Sequence, residues 1–436
     1  MTVNRRDAFA LAGLTLGGAA LAAGSAQAQA SDAVTVAHPG RYAPGVPGRD
    51  YTPVVTPNNA ALPFRVVDGV KVFHLIAEEV DHEFAPGLRA QCWGYNGRVH
   101  GPTIEAVEGD RVRIYVTNRL IAGTTVHWHG LILPSGMDGV GGLSQPVIRP
   151  GQTFVYEYTL VQHGTHMYHS HHDEMTQIGM GMSGLFVIHP RRPRRRVDRE
   201  YAYLLSEWDI RPGSRRPNPN EMTDFNVLTL NAKVFPATAP IVAERGERVR
   251  LRIANNSPQN HHPIHLHGHT FKVTATDGGQ IPEVGQWPEV TAVVPVGSSR
   301  DIEFTAIPGD WALHCHMTHH VMNQMGHDAP NMVGVDASQI DRRARDVLPG
   351  YITMGSDGMA EHGEHVEGGL PVPANSIPMV GGRGQHDYIT MGGMFTILKV
   401  RERLQGAADP GWYRDRPGEL ARLASPAELG RDGIPT

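Results

Sequence analysis

The chain has 436 residues, a formal net charge of −5, 19% charged and 40% hydrophobic side chains. That balance describes a folded, soluble protein and carries no sign of nucleic-acid binding. Fifty glycines and 33 prolines suit a β protein with many turns,.

At the N-terminus Arg5-Arg6 precede an apolar run from Ala8 to Ala23, with Ala26-Gln27-Ala28 or Ala28-Gln29-Ala30 as the cleavage site. Residues 1–30 read as a twin-arginine export signal, which directs the mature protein to the bacterial periplasm or the cell exterior. The run is short and ends in small residues, so no membrane span is expected.

Along the mature chain, Val112, Ile114 and Val116 alternate with Arg111, Arg113 and Tyr115, the period of a half-buried strand,. Thr153 to Leu160 and Gly184 to His189 are further strands. The run Arg191 to Arg199, with six arginines around Pro193, reads as a solvated linker,. Beyond it Val249, Leu251 and Ile253 alternate with three arginines, and strands are expected at Thr270 to Thr276, Asp301 to Thr305 and Trp311 to Cys315. Many short strands broken by Gly, Pro and Asn predict an all-β fold of two sandwiches. The expected organisation is a first domain over 31–190, a linker over 191–200, a second domain over 201–340 and a C-terminal extension over 341–436, in which Met394 to Arg401 is a returning strand.

Four histidine clusters form two matched pairs. His127-Trp128-His129-Gly130 is echoed by His265-Leu266-His267-Gly268, and His169-Ser170-His171 by His314-Cys315-His316. The lead-in Gly109-Asp110-Arg111-Val112-Arg113-Ile114 is echoed by Gly246-Glu247-Arg248-Val249-Arg250-Leu251, so whole domains are duplicated,. On a strand, His-x-His aims two imidazoles at one spot while the middle residue faces away. In His314-Cys315-His316 the thiol must therefore serve a different centre from its neighbours. A thiolate with two imidazoles and a weak thioether is the donor set of a blue-copper site, and Cys315, His262, His320 and Met325 supply it. The other eight histidines, His127, His129, His169, His171, His265, His267, His314 and His316, form an all-imidazole group suited to several coppers.

This arrangement resembles the multicopper oxidases, the laccase-like family, whose motifs His-x-His-Gly, His-x-His, His-Pro-x-His-x-His-Gly-His and His-Cys-His-x3-His-x4-Met all occur here in order. The resemblance implies cupredoxin-like sandwiches and four coppers per chain. Cys315, His262, His320 and Met325 would hold type 1 copper, His127 and His265 type 2, and His129, His169, His171, His267, His314 and His316 the type 3 pair. It further implies electrons passing from a small reducing substrate through Cys315, His314 and His316 to O2. The reductant would be a phenol, an aromatic amine or a metal ion such as Cu(I) or Mn(II). Asp138 matches a family carboxylate proposed to assist O2 reduction, although Asp138-Gly139 is also a common turn; Val321 stands where many bacterial relatives carry a second carboxylate. The alternative is a periplasmic copper-tolerance protein acting mainly by sequestration.

Aligning the copies sets Thr124 opposite His262, Ser170 opposite Cys315 and Met175 opposite His320, so the first domain lacks type 1 ligands. The stretch from His171 to His262 is too short for a third sandwich. The chain therefore resembles two-domain laccases, which implies a homotrimer with clusters at the subunit interfaces. With Cys315 committed to metal, Cys92 is left as a buried small apolar residue and no intrachain disulfide is expected. His163, His166, His172, His189, His261, His269, His319 and His327 lie off the ligand spacing and are expected at the surface or in hydrogen bonds. Met354, Met359, Met379, Met391 and Met394, near His362 and His365, could bind Cu(I) but read better as packing residues.

Overall fold

The computed structural model describes residues 42–193, 196–211, 213–223, 225–322, 338–347, 374–377, 381–406 and 408–435. The expected export signal, Met325, His327, Met354, Met359, His362, His365 and Met379 lie outside these residues.

The fold is all-β, built as two sandwiches. In the first, a sheet runs Arg65–Val67, Val70–Ala85, Arg111–Asn118, Thr153–Thr159, with Leu88–Tyr95 also paired to the long second strand. It faces a sheet ordered Gly101–Val107, Ser183–His189, Gly164–His169, His127–His129. The period-2 pattern explains the core: Val112, Ile114 and Val116 are buried with Phe73, Leu75, Trp128, Tyr168 and Phe186, contributed by both sheets,. On the outer face Arg111 and Arg113 instead share Glu157 at 2.7 and 2.5 Å.

The second sandwich repeats the plan. One sheet contains Val227–Leu230, Arg199–Trp208, Arg248–Asn255, Ser299–Thr305 and Phe271–Thr276. The other runs Ile241–Glu244, Phe395–Arg401, Gly309–Cys315, His262–Leu266, Thr291–Val294. Part of the expected C-terminal extension thus lies inside the sheet that carries the metal motifs. Phe395–Arg401 pairs parallel with Ile241–Glu244 and antiparallel with Gly309–Cys315. Leu398 and Val400 enter the main core, while Phe395 and Ile397 pack with Phe235 on the opposite face. Leu398→Ala is expected to destabilise the protein by about 2–5 kcal/mol, as for other buried large-to-small changes; chemical denaturation showing a loss under 1 kcal/mol would contradict this central placement.

The strand Arg248–Asn255 departs from the half-buried expectation. Val249, Leu251 and Ile253 point into the core as anticipated, but on the arginine face Arg252 is buried against the first sandwich while Arg248 and Arg250 stay partly exposed. Arg252 meets Asp301 at 3.0 Å and Glu200 at 3.3 Å, and donates to Thr165 of the strand Gly164–His169 at 2.9 Å. Thr165 donates onward to Asp301 at 2.6 Å. Each buried charge is paired and hydrogen-bonded, the condition under which burial of charge is tolerated. Among the described residues no helix is long and apolar enough to cross a membrane.

Candidate metal centres

Strand pairing assembles the first histidine quartet. His127 is the register partner of His169, and Trp128 between the two motif histidines points into the core. The rings of His127 lie 5.6, 5.3 and 5.4 Å from those of His129, His169 and His171. His129 Nδ1 and His169 Nε2 approach to 3.2 Å. The outer nitrogens are engaged elsewhere: His127 Nδ1 donates to the Asp138 carbonyl at 2.8 Å and His169 Nδ1 to the Ser170 carbonyl at 2.9 Å. Such bonds fix the tautomer and leave Nε2 for a metal. Burial depresses His129 and takes His169 down to about 3, which keeps both imidazoles neutral,.

The second quartet reproduces this down to its hydrogen bonds. His265 is the register partner of His314, and the His265 ring lies 4.7, 5.6 and 5.3 Å from His267, His314 and His316. His267 Nε2 and His314 Nε2 approach to 3.1 Å. His265 Nδ1 donates to the Val290 carbonyl at 2.7 Å and His314 Nδ1 to the Cys315 carbonyl at 2.8 Å. His267 and His316 are exposed. Among the described residues no hydrogen bond or ring contact joins one quartet to the other.

Cys315 faces the other way, into the second core. Its Sγ lies 3.6 Å from His262 Nδ1 and 3.4 Å from His320 Nδ1, and those two nitrogens are 3.1 Å apart. A triangle with these edges leaves room for one ion roughly 2.0–2.3 Å from each donor, and the two-imidazole, one-thiol set is that of blue copper. All three side chains are buried. Burial pushes the Cys315 thiol up to about 12, holds His262 well below the ordinary imidazole range and brings His320 down to about 4. The metal-free site is therefore protonated on sulfur at neutral pH, and a thiolate ligand requires that proton to leave. Copper affinity here is expected to rise about tenfold per pH unit across the neutral range, one proton leaving per ion; titration of the thiolate-to-copper colour with pH-independent affinity would contradict this.

Three neighbouring side chains escaped sequence reasoning. Ser257 Oγ lies 2.7 Å from His262 Nε2, and the buried Glu207 Oε1 lies 3.7 Å from it. Glu174 sets its two carboxylate oxygens 3.8 Å from His169 Nδ1 and His171 Nε2. Its place three residues beyond the second His-x-His was the one available signal; Glu207 and Ser257 had none. Asp138 closes the turn Ser135–Met137 and holds His127 through its main chain, with its carboxylate 3.5 Å from the ring. In the first sandwich the position equivalent to the thiol site is filled by Gln177, whose Oε1 accepts from Thr124 at 2.7 Å and Ser170 at 2.5 Å. Several off-spacing histidines have hydrogen-bond partners: His189 pairs with Glu105 at 2.9 Å, His261 accepts from Val296 N at 3.0 Å, and His269 donates to the His267 carbonyl at 2.9 Å.

Comparison with known proteins points to one family. Residues 77–193 and 211–333 each match the family described as multicopper oxidase. The chain is 31% identical over 241 residues to copper resistance protein A of Pseudomonas syringae pv. tomato, covering 44% of this chain and 39% of that protein. The chain thus spans well under half the length of that relative. Among solved structures, the multicopper oxidase mgLAC superposes with a TM-score of 0.57 at 25% identity, covering 80% of this chain and 91% of that one. The blue copper oxidase from Nitrosomonas europaea gives 0.55 at 25% identity, with 76% and 85% covered.

Proposed function

Because the chain belongs to the multicopper oxidase family, we propose that it couples one-electron oxidation of a small reductant to reduction of O2. The reductant class is a phenol, an aromatic amine or a metal ion such as Cu(I). The observation that carries this reading is the placement of one tripeptide: Cys315 Sγ sits in the His262–His320 triangle while His314 packs beside His265 and His267. Copper held by these residues would supply a one-electron acceptor beside a multi-electron centre.

The residues themselves do the positioning. Cys315, His262 and His320, with Met325 expected to add a thioether, would hold the type 1 ion among buried side chains. His127 and His265 would serve type 2, and the remaining six quartet histidines type 3, four coppers per chain in all. The main-chain carbonyls of Asp138, Ser170, Val290 and Cys315 lock four of the rings,. Asp138 and Glu174 stand beside the first quartet as candidate proton carriers.

Among the described residues no hydrogen bond or ring contact joins the two quartets, which supports a head-to-tail homotrimer pairing the first quartet of one copy with the second quartet of the next. Val290, the residue holding His265, is exposed, as are Trp287 and Val293 nearby in sequence; Ile132 and Leu143 are exposed beyond the His127–His129 motif. Apolar rims of this kind mark interaction surfaces. Arg5-Arg6 and the following run support export to the periplasm or beyond.

A second reading, copper tolerance by sequestration, is favoured by the likeness to copper resistance protein A. Oxygen uptake by the copper-loaded protein, with 2,6-dimethoxyphenol and Cu(I) as separate reductants, separates the two. The oxidase is expected to consume one O2 per four electrons without releasing peroxide; blue, fully loaded protein that consumes no O2 would favour sequestration.

A further inference from the structure

A cavity of about 390 Å3 is lined by His129 and His169 of the first quartet and by Ser257 and Glu207, the two side chains beside His262. We propose that it binds aromatic ammonium ions carrying an oxygen acceptor, and that this class supplies the preferred reductant; calling the occupant a reductant rests on the oxidase reading above.

The size falls within the range of small-molecule sites. Trp208, Phe225 and Met222 give the walls an apolar character suited to a planar ring, and Glu174, Glu207, Asp209 and Glu221 bring four carboxylates, while among the described residues no lysine or arginine lines the space. Such a lining attracts cations and repels anions.

Two orphaned atoms define the polar contacts. Among the described residues Glu207 Oε1 and Asn256 Nδ2 have no hydrogen-bond partner, although their residues are only 1% and 6% exposed, and both residues line the cavity. Glu207 Oε2 is already committed, accepting from Asn260 N at 3.1 Å. Unpaired buried polar atoms are costly, and a bound molecule that satisfies both recovers that cost. The carboxylate oxygen calls for a donor, preferably charged, and the amide nitrogen for an acceptor. An ammonium at Glu207 and a hydroxyl or ether oxygen at Asn256, joined by an aromatic ring, meet both demands. The ammonium would then stand next to the carboxylate that lies 3.7 Å from His262.

The test uses three redox-silent probes of one shape on the copper-loaded protein: 4-methoxybenzylamine, 4-methoxybenzyl alcohol and 4-methoxybenzoate, followed by calorimetry. The amine is expected to bind at least about tenfold more tightly than the alcohol, with no binding of the benzoate, and Glu207→Gln should erase that preference while leaving the alcohol unchanged. Val296→Phe, which fills the cavity, should weaken both and covers the case in which the Glu207 variant does not fold. Equal affinity for amine and alcohol, or amine binding indifferent to the substitutions, would overturn the proposal. Oxygen uptake with the uncharged 2,6-dimethoxyphenol, run on the same preparation, reports on the oxidase reading separately: uptake without amine preference rejects only the pocket, and amine preference without uptake rejects only the oxidase.

Discussion

Cys315→Ser is expected to abolish the blue colour and to lower steady-state oxidation of reductants by more than about 100-fold, beyond the 10–100-fold typical of losing an outer hydrogen-bond partner of a metal site. The thiol lies 3.4 and 3.6 Å from the two imidazole nitrogens, buried in the second hydrophobic core. A serine hydroxyl is shorter and a poor donor for a copper held by two imidazoles. His314 and His316 point away from that core toward the second quartet, so the cluster coppers should remain. Metal analysis should therefore find one copper fewer per chain, with the type 2 paramagnetic signal retained. A serine variant that keeps both colour and turnover would remove Cys315 from the pathway.

The second large effect concerns assembly. His129→Ala, which empties a first-quartet position, and His267→Ala, which empties a second-quartet position, should each be inactive alone. Coexpressed, they should recover about one quarter of the native activity, because in a randomly mixed head-to-tail ring one interface in four joins two intact quartets. Rescue of this kind cannot arise if both quartets of a cluster belong to one chain, and a mixture as dead as its components would refute the interface cluster. Sedimentation of the mixture checks that rings have formed. The basis is structural: among the described residues no hydrogen bond or ring contact joins the two quartets, and His267 and His316 are exposed.

Much of this was legible in the sequence because the governing rules are local. Strand alternation alone separates Cys315 from His314 and His316, and buries Val112, Ile114 and Val116 against Arg111 and Arg113. The internal repeat is equally direct, since His127 and His265 occupy the same register against His169 and His314. What stayed hidden depends on pairings between distant segments. Arg252 on the strand Arg248–Asn255 looks solvent-facing until Thr165 of the first sandwich meets it. Phe395–Arg401 is buried on both faces, so period-2 patterning could place it as a strand but not as the neighbour of the Cys315 strand. Glu207 approaches His262 across 55 positions of chain, within a strand whose sequence marks no ligand.

The amide of Gln177, held between two hydroxyls where the other copy has its thiol, also governs how the molecule acquires metal. Its carbonyl oxygen already accepts two hydrogen bonds and its nitrogen donates to Gly123, so it offers an incoming soft ion nothing to displace. Gene duplication would ordinarily leave twin receptacles competing for a scarce nutrient. Here one twin is plugged, and a copper held by thiolate would find one such receptacle among the described residues.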